Sequence, residues 1–399
     1  MSIIDEIKKE KNWKSYLQYK KNNNLLTDKE QKYIKQNKYI NIANEITNGE
    51  YTFNPPKRRL VNNAGDKRKI VYTYNEDETM ILKLIAFLIM QKYDDKFSPN
   101  CYSFRKDFGI KQAMENLSAA SNIEKLCCYK IKIDNYYSNI PIELLLDKLK
   151  KLFSDDIKLY EFFEKILTDK RVEVDKEIII EEKGIMLGTP IASFLGNVYL
   201  DDMDKKYYEE QTLYARYADE IIILCRENEL QNNMISIEND VYRHQLSLDI
   251  TKRELIAPGA MWSFSGFSHQ NEIIDLSEET KKKIKNQIKK FAKEIRRRAI
   301  LKEDFPEVAL KTMNRKFNKI FYEEKPGKDM PWYMWFFPVI NTAGSLREID
   351  KCMQENLRYI VTGKHSKTNY KDVKYSYLKK CYYRPLVPEF LKNIKQSKL

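Results

Sequence analysis

Leu213 to Ala218 and Ile221 to Cys225 are two short β-rich runs on either side of Asp219-Glu220. Runs of this length and composition read as neighbouring strands, and so short a separation makes them a hairpin. Its tip then carries two carboxylates that repel each other. Such a pair is either a solvated acidic turn or the site of a cation. A further strand is legible upstream. In Leu126 to Asp134, Tyr129, Ile131 and Ile133 alternate with Lys130, Lys132 and Asp134, giving one apolar face and one charged face.

Charge narrows the partners. The 71 Lys and Arg against 58 Asp and Glu leave a net charge of +13, which favours a polyanion. The 27 Tyr and 18 Phe suit single-stranded nucleic acid, although a general lysine bias would give the same balance. With 42% hydrophobic residues over 399 positions, a wholly disordered chain is excluded, and two domains, or one large domain with an appendage, are expected. The Ile81–Met90 stretch is too short and too interrupted to span a membrane. Met1 to Asp5 turns charged at once, so no secretory leader is expected. Six scattered cysteines without Cys-x-x-Cys spacing, and three histidines, argue against zinc and for a cytoplasmic protein with reduced thiols.

Residues 1 to about 50 read as short helices, and 51–74 as a hairpin with a basic tip. A helix is expected over 78–95, and another after Asn135–Pro141, where Ile142, Leu145, Leu149 and Phe153 share a stripe. Gly184 to Pro190 is a glycine-flexed loop, with Thr189 as N-cap and Pro190 as first residue of a helix. After Ser277, another expected cap, a long helix carries Ile284, Ile288, Phe291 and Ile295 inward. Lys281, Lys282, Lys283, Lys289, Lys290, Arg296, Arg297 and Arg298 surround them, either as a phosphate-tracking face or as a plain solvated one. Met334 to Phe337 reads as core or partner contact.

Tyr217-Ala218-Asp219-Glu220 resembles the Tyr-Ala-Asp-Asp hairpin of reverse transcriptases. In the family's order, Cys101–Arg105, Asn135–Ile140, Gly184–Asp204, Leu246–Leu248 with Lys252, and the primer-grip-like Phe264–Phe267 also match. Trp332–Ile340, Leu346–Asp350 and Tyr383–Val387 resemble the tail of bacterial abortive-infection and defence-associated members. The resemblance implies an α+β right-hand polymerase, with fingers and palm over 1–276, N-terminal helices at 1–50, and a basic helical thumb and C-terminal region over 277–399. It places the acidic hairpin beside the strand carrying Lys132, with the helix after Pro190 packed behind.

The implied activity is RNA-directed or template-independent DNA synthesis in antiviral defence, by two-metal nucleotidyl transfer with Mg²⁺ or Mn²⁺. Implied partners are RNA or DNA, including a dedicated non-coding RNA, deoxynucleotides, and a second copy or partner protein, with no membrane. Asp219 and Glu220, with Asp134 and the Ile133 carbonyl, are the implied metal ligands. Lys67 and Arg68 are expected at the triphosphate, Tyr137 as the sugar-selecting aromatic, Gly188 and Thr189 under the nucleotide, and Lys252 near pyrophosphate. Two departures stand out. Glu220 replaces an aspartate, and aligning Tyr136-Tyr137 with the family's aromatic pair puts Lys132 where the first catalytic aspartate belongs. Asp134 lies two residues on, roughly 6–7 Å along a strand. Either a bulge moves Asp134 into place, or the chain is an impaired relative that binds nucleic acid or scaffolds an active partner. An ordinary retron or intron-type enzyme would keep its acidic motifs and fits less well.

Overall fold

The computed structural model describes residues 1–23, 25–62, 68–182, 184–323 and 331–397. They form two units, Met1–Ala260 and Met261–Leu399, in a mixed α+β architecture.

The first unit opens with four helices, α1 (Ile3–Glu6), α2 (Glu10–Asn22), α3 (Asp28–Lys35) and α4 (Tyr39–Asn48). Thr27 and Glu30 form a reciprocal capping box at α3. Trp13 stacks on Tyr39 with ring centres 4.5 Å apart, anchoring α2 to α4. Strands β1 (Lys57–Asn62) and β2 (Arg68–Thr73) make the expected early hairpin. Its tip, with Lys67, lies outside the described residues, and of Arg68 only the backbone is described.

Helix α5 (Glu76–Tyr93) is capped by Asn75, whose side chain accepts from the Glu78 amide, and buries Met80, Leu82, Leu84, Ile85 and Ile89. Next come α6 (Ile110–Ser118), β3 (Cys127–Lys132), α7 (Tyr136–Asn139), α8 (Ile142–Leu152) and α9 (Ile157–Thr168). They are followed by β4 (Arg171–Val174), β5 (Glu177–Ile180), α10 (Ala192–Glu209), β6 (Leu213–Tyr217), β7 (Glu220–Cys225), α11 (Glu227–Arg243) and β8 (Glu254–Ile256).

Two four-stranded sheets result, ordered β2-β1-β4-β5 and β6-β7-β3-β8. The second is antiparallel throughout. Alternation gives it two different faces. Tyr129, Ile131, Ile133, Ile221 and Ile223 point into the main core, while Lys130, Lys132 and Glu220 share the other face. Helix α10 packs on the inner face: Tyr207 stacks on Tyr214, and Asp204 binds the fully buried Arg216.

The second unit begins with a sheet ordered β11-β10-β9, made of β9 (Trp262–Phe264), β10 (Phe267–Gln270) and β11 (Ile273–Leu276). Helices α12 (Glu278–Leu301), α13 (Pro306–Phe321), α14 (Trp332–Phe336), α15 (Gly344–Thr362), α16 (Asn369–Asp372), α17 (Tyr375–Lys380) and α18 (Leu386–Ser397) complete it. The sequence pattern puts a boundary at 276/277, yet the strands of 262–276 group with these helices. The reason is local: β11 runs directly into the Ser277 cap of α12, and Asp275 accepts a 2.9 Å hydrogen bond from the Ser345 amide on α15.

Candidate active site

The β6–β7 hairpin turns through Ala218 and Asp219, with Tyr217 paired to Glu220 and Ala218 at φ 55°. Asp219 therefore occupies the turn and Glu220 the first position of β7. Two neighbours fix the tip. Ser103 accepts from the Ala218 amide, and Arg216 donates to the Ala218 carbonyl at 3.2 Å. Arg216 is itself clamped by Asp204 of α10 and approaches the Cys101 sulfur at 3.1 Å. Burial is the largest influence and opposes the guanidinium charge, but the favourable interactions, led by the Asp204 carboxylate, together outweigh it. The Cys101–Arg105 segment thus serves the hairpin directly, with Tyr102 N–H bonded to the Arg216 carbonyl at 2.9 Å.

Beside the hairpin, β3 pairs with β7 in an unbroken register from Cys127↔Cys225 to Lys132↔Glu220. The ladder continues past the strand end, where the Ile133 amide donates to the Asp219 carbonyl at 2.8 Å. No bulge interrupts it, so nothing moves Asp134 back towards the carboxylates. Asp134 lies in the turn after β3, its amide bonded to the Ser247 carbonyl at 2.8 Å and its carboxylate accepting from Asn135 at 3.1 Å. Lys132 takes the place beside the hairpin, with its ammonium 3.3 Å from Asp219. Lys130, two residues back on the same face, reaches Glu254 at 2.8 Å and Glu220 at 3.9 Å. Two ammoniums thus face Asp219, Glu220 and Glu254. The alternation of β3 already puts Lys130 on this face, but its pairing depends on β7 and β8 and is not visible in the sequence.

The roof is built from the 184–190 loop. The Ile185 amide donates to the Tyr137 carbonyl at 2.8 Å and the Gly184 amide to the Ser138 carbonyl at 3.1 Å. A Cβ at Gly184 would lie 2.4 Å from the Tyr137 carbonyl oxygen, so glycine is required by close approach. Gly188, at φ +99°, sits against the β2 backbone, where the Tyr72 amide donates to the Leu187 carbonyl at 2.8 Å. Thr189 does not cap the following helix. Its hydroxyl donates to the Met186 carbonyl at 2.8 Å, and α10 starts only at Ala192, because the loop closes on itself before the helix begins. Tyr137 packs its ring edge on Gly196. Burial, then the Asp219 charge, raises the Tyr137 hydroxyl well above its ordinary value, so it stays protonated next to the carboxylate. Lys252 ends the short 3₁₀ turn Ile250–Lys252, just after Asp249, whose amide donates to the Lys132 carbonyl at 2.8 Å.

Residues 56–292, more than half of the chain, match the family described as Reverse transcriptase (RNA-dependent DNA polymerase). The chain belongs to the reverse transcriptase family. It has the corresponding right-hand polymerase fold, with fingers, palm and a helical C-terminal part. No curated protein matches the chain. Among solved structures, apo telomerase from Candida tropicalis truncated from its C-terminal domain is 12% identical with TM-score 0.45, over 56% of this chain and 55% of that one. The present chain thus spans about half the length of that protein. Telomerase from Candida albicans in complex with a TWJ fragment of telomeric RNA gives 10% identity and TM-score 0.47 over 88% and 68% of the two chains. Apo telomerase from Candida tropicalis gives 9% and 0.46 over 78% and 64%.

A reverse transcriptase of the two-metal type needs carboxylates from two adjacent strand ends around ions roughly 3.5–4 Å apart. The donor set here does not fit that demand. The position on β3 facing Glu220 holds an ammonium, which cannot ligate a cation, and Asp219 already pairs with it. Among the described residues there is no group of three or more His, Cys, Asp or Glu arranged to hold a metal ion. What remains is a palm whose charges are largely compensated within the protein, under an ordered loop and a buried tyrosine.

Proposed function

We propose that this reverse transcriptase acts in bacterial antiviral defence as a nucleic-acid-binding member of the family, with metal-dependent nucleotide addition weak or lost while Lys132 is in place. The observation that carries the proposal is the uninterrupted β3–β7 register, which sets Lys132 against Glu220 and its ammonium 3.3 Å from Asp219. One positive charge there offsets the carboxylates but offers no coordination to an attacking hydroxyl. Binding draws on the +13 charge and on the outer face of α12. The defence role rests on the tail motifs alone, and a dedicated RNA is the partner this role favours.

A second reading, an active DNA polymerase that works with or without a template, is favoured by the intact roof: Tyr137, Gly188 and the 184–190 loop form a wall suited to a deoxynucleotide. The two separate in one assay. Purified protein is incubated with each labelled deoxynucleotide and Mg²⁺ or Mn²⁺, with and without RNA. Little incorporation is expected from the natural chain, a strong gain from Lys132→Asp, and no change from Asp134→Asn. Robust incorporation that Asp134→Asn abolishes would establish the active-polymerase reading instead.

A further inference from the structure

Arg358, on α15, is 2% exposed, yet no carboxylate lies within ion-pair distance of it among the described residues. Its Nε donates to the Val373 carbonyl and its Nη1 to the Gln354 carbonyl, both at 3.1 Å, while no hydrogen bond of Nη2 is found among the described residues. The guanidinium sits over the Tyr370 ring, 4.0 Å from ring centre to Cζ. Buried cations are ordinarily paired, since removing a charge from water costs several kcal/mol per ion. Tyr370 and two carbonyls reduce that cost, and the Glu355 carboxylate favours the charge only from beyond ion-pair distance.

An anion in direct contact with Arg358 has a place to sit. Arg358 lines a cavity of about 240 Å³ together with Glu355, His365, Ser366, Lys367, Asn369 and Tyr370. Its rim is an ordered loop. Gly363, at φ +76°, closes α15, and the His365 ring stacks on Tyr359 with centres 4.5 Å apart and planes 2° from parallel. Asn369 donates to the Lys364 carbonyl at 2.5 Å, and Ser366 and Thr368 bond through their hydroxyls at 2.9 Å. The loop therefore holds Lys367, His365 and Ser366 around the mouth without consuming the Lys367 ammonium in an ion pair among the described residues.

We propose that this cavity binds a phosphomonoester, either the phosphorylated end of a nucleic-acid strand or a free nucleotide. Arg358 and Lys367 supply the charge-assisted donors that phosphate oxygens prefer, with Ser366 and Asn369 as neutral donors. Glu355, the lone carboxylate of the lining, suits a sugar hydroxyl, from which it can accept. The volume is below the roughly 300–1,000 Å³ of ordinary small-molecule pockets, and matches a phosphate with its sugar better than a whole nucleotide buried at once. The site lies wholly within the second unit and is independent of Lys132.

The test is a calorimetric titration of the full chain with inorganic phosphate, deoxyadenosine monophosphate, and one RNA 12-mer carrying either a 5′-phosphate or a 5′-hydroxyl. Binding of the monophosphate, or preference for the phosphorylated 12-mer, is expected, and which of the two dominates identifies the source of the phosphate. Lys367→Ala, at an exposed position, should weaken that binding about tenfold, the factor that corresponds to ~1.4 kcal/mol. Arg358→Gln should remove it, with the far-UV circular dichroism spectrum confirming the fold. If Arg358→Gln does not fold, Lys367→Ala with His365→Ala decides. No phosphate-dependent binding by any probe, or binding that survives these changes in folded protein, would overturn the proposal.

Discussion

The palm face of β3 and the outer face of α12 are both lysine-rich, and they treat their charges in opposite ways. On β3, Lys130 and Lys132 are directed at Glu220, Glu254 and Asp219, so the cations are satisfied by the protein itself. On α12, Lys289, Lys290, Lys293 and Arg297 are exposed and have no carboxylate partner among the described residues. The first arrangement compensates a site that the family uses for metals. The second leaves cations available to phosphates. A lysine count cannot distinguish these; only the partner of each ammonium does.

Even within α12 the division is internal. The sequence reads as a cationic shaft around an apolar stripe, and Ile284, Ile288 and Ile295 are indeed buried. Lys281 is buried too, bonded to Glu348 of α15 at 3.0 Å, and Lys285 reaches the same carboxylate at 2.5 Å. Arg296 is also taken out of the binding face, because its Nη1 donates to the Ile360 carbonyl at 2.7 Å and caps α15.

The largest expected effect breaks the palm side. Asp204→Ala leaves Arg216 buried without its counter-ion, which should lower unfolding stability by about 3–5 kcal/mol and loosen the hairpin that carries Asp219. Urea denaturation checks this, and a loss under about 1 kcal/mol would mean that the pair does not hold the hairpin. Next, changing Lys289, Lys290, Lys293 and Arg297 together to Gln should flatten the salt dependence of RNA binding by about 0.7–0.9 log units for each phosphate that is no longer neutralised. Arg296→Gln alone should lower stability and leave that slope nearly unchanged, whereas equal slopes for all variants would make α12 a solvated helix only. Smallest is Glu348→Gln, at about 1 kcal/mol or less. The Lys285 hydrogen bond, assisted by Lys281 and opposed by burial, lowers the Glu348 carboxyl below its ordinary 4.5. Its contribution is present above that value and lost as pH falls through the lower folded one, so natural and variant stabilities should converge in acid.

Much of this is legible in the sequence because periodicity is local. The alternation of Tyr129, Ile131 and Ile133, the Ser277 cap and the stripe of α12 each depend on neighbours a few residues away. The choice between Lys132 and Asp134 is not local, since the sequence leaves a bulge open and only the pairing of β3 with the distant β7 keeps the side chains in step. Other features depend on distant partners. Lys130 meets Glu254, Arg296 meets the end of α15, and Arg358 meets Tyr370 only after folding. Thr189 fails as a cap because the loop closes on itself through its hydroxyl and the Met186 carbonyl, and the helix begins only at Ala192. The strands of 262–276 look continuous with the palm in sequence, and their hydrogen bonds to α15 place them otherwise.

The most direct test of the central claim is a count of Mn²⁺ ions bound by the natural chain, by Lys132→Asp and by Asp134→Asn, measured by electron paramagnetic resonance. With an ammonium 3.3 Å from Asp219, the natural chain and Asp134→Asn should bind no ion in the palm, and Lys132→Asp should gain at least one. One or two ions on the natural chain, lost on Asp134→Asn and unaffected by Lys132→Asp, would contradict it.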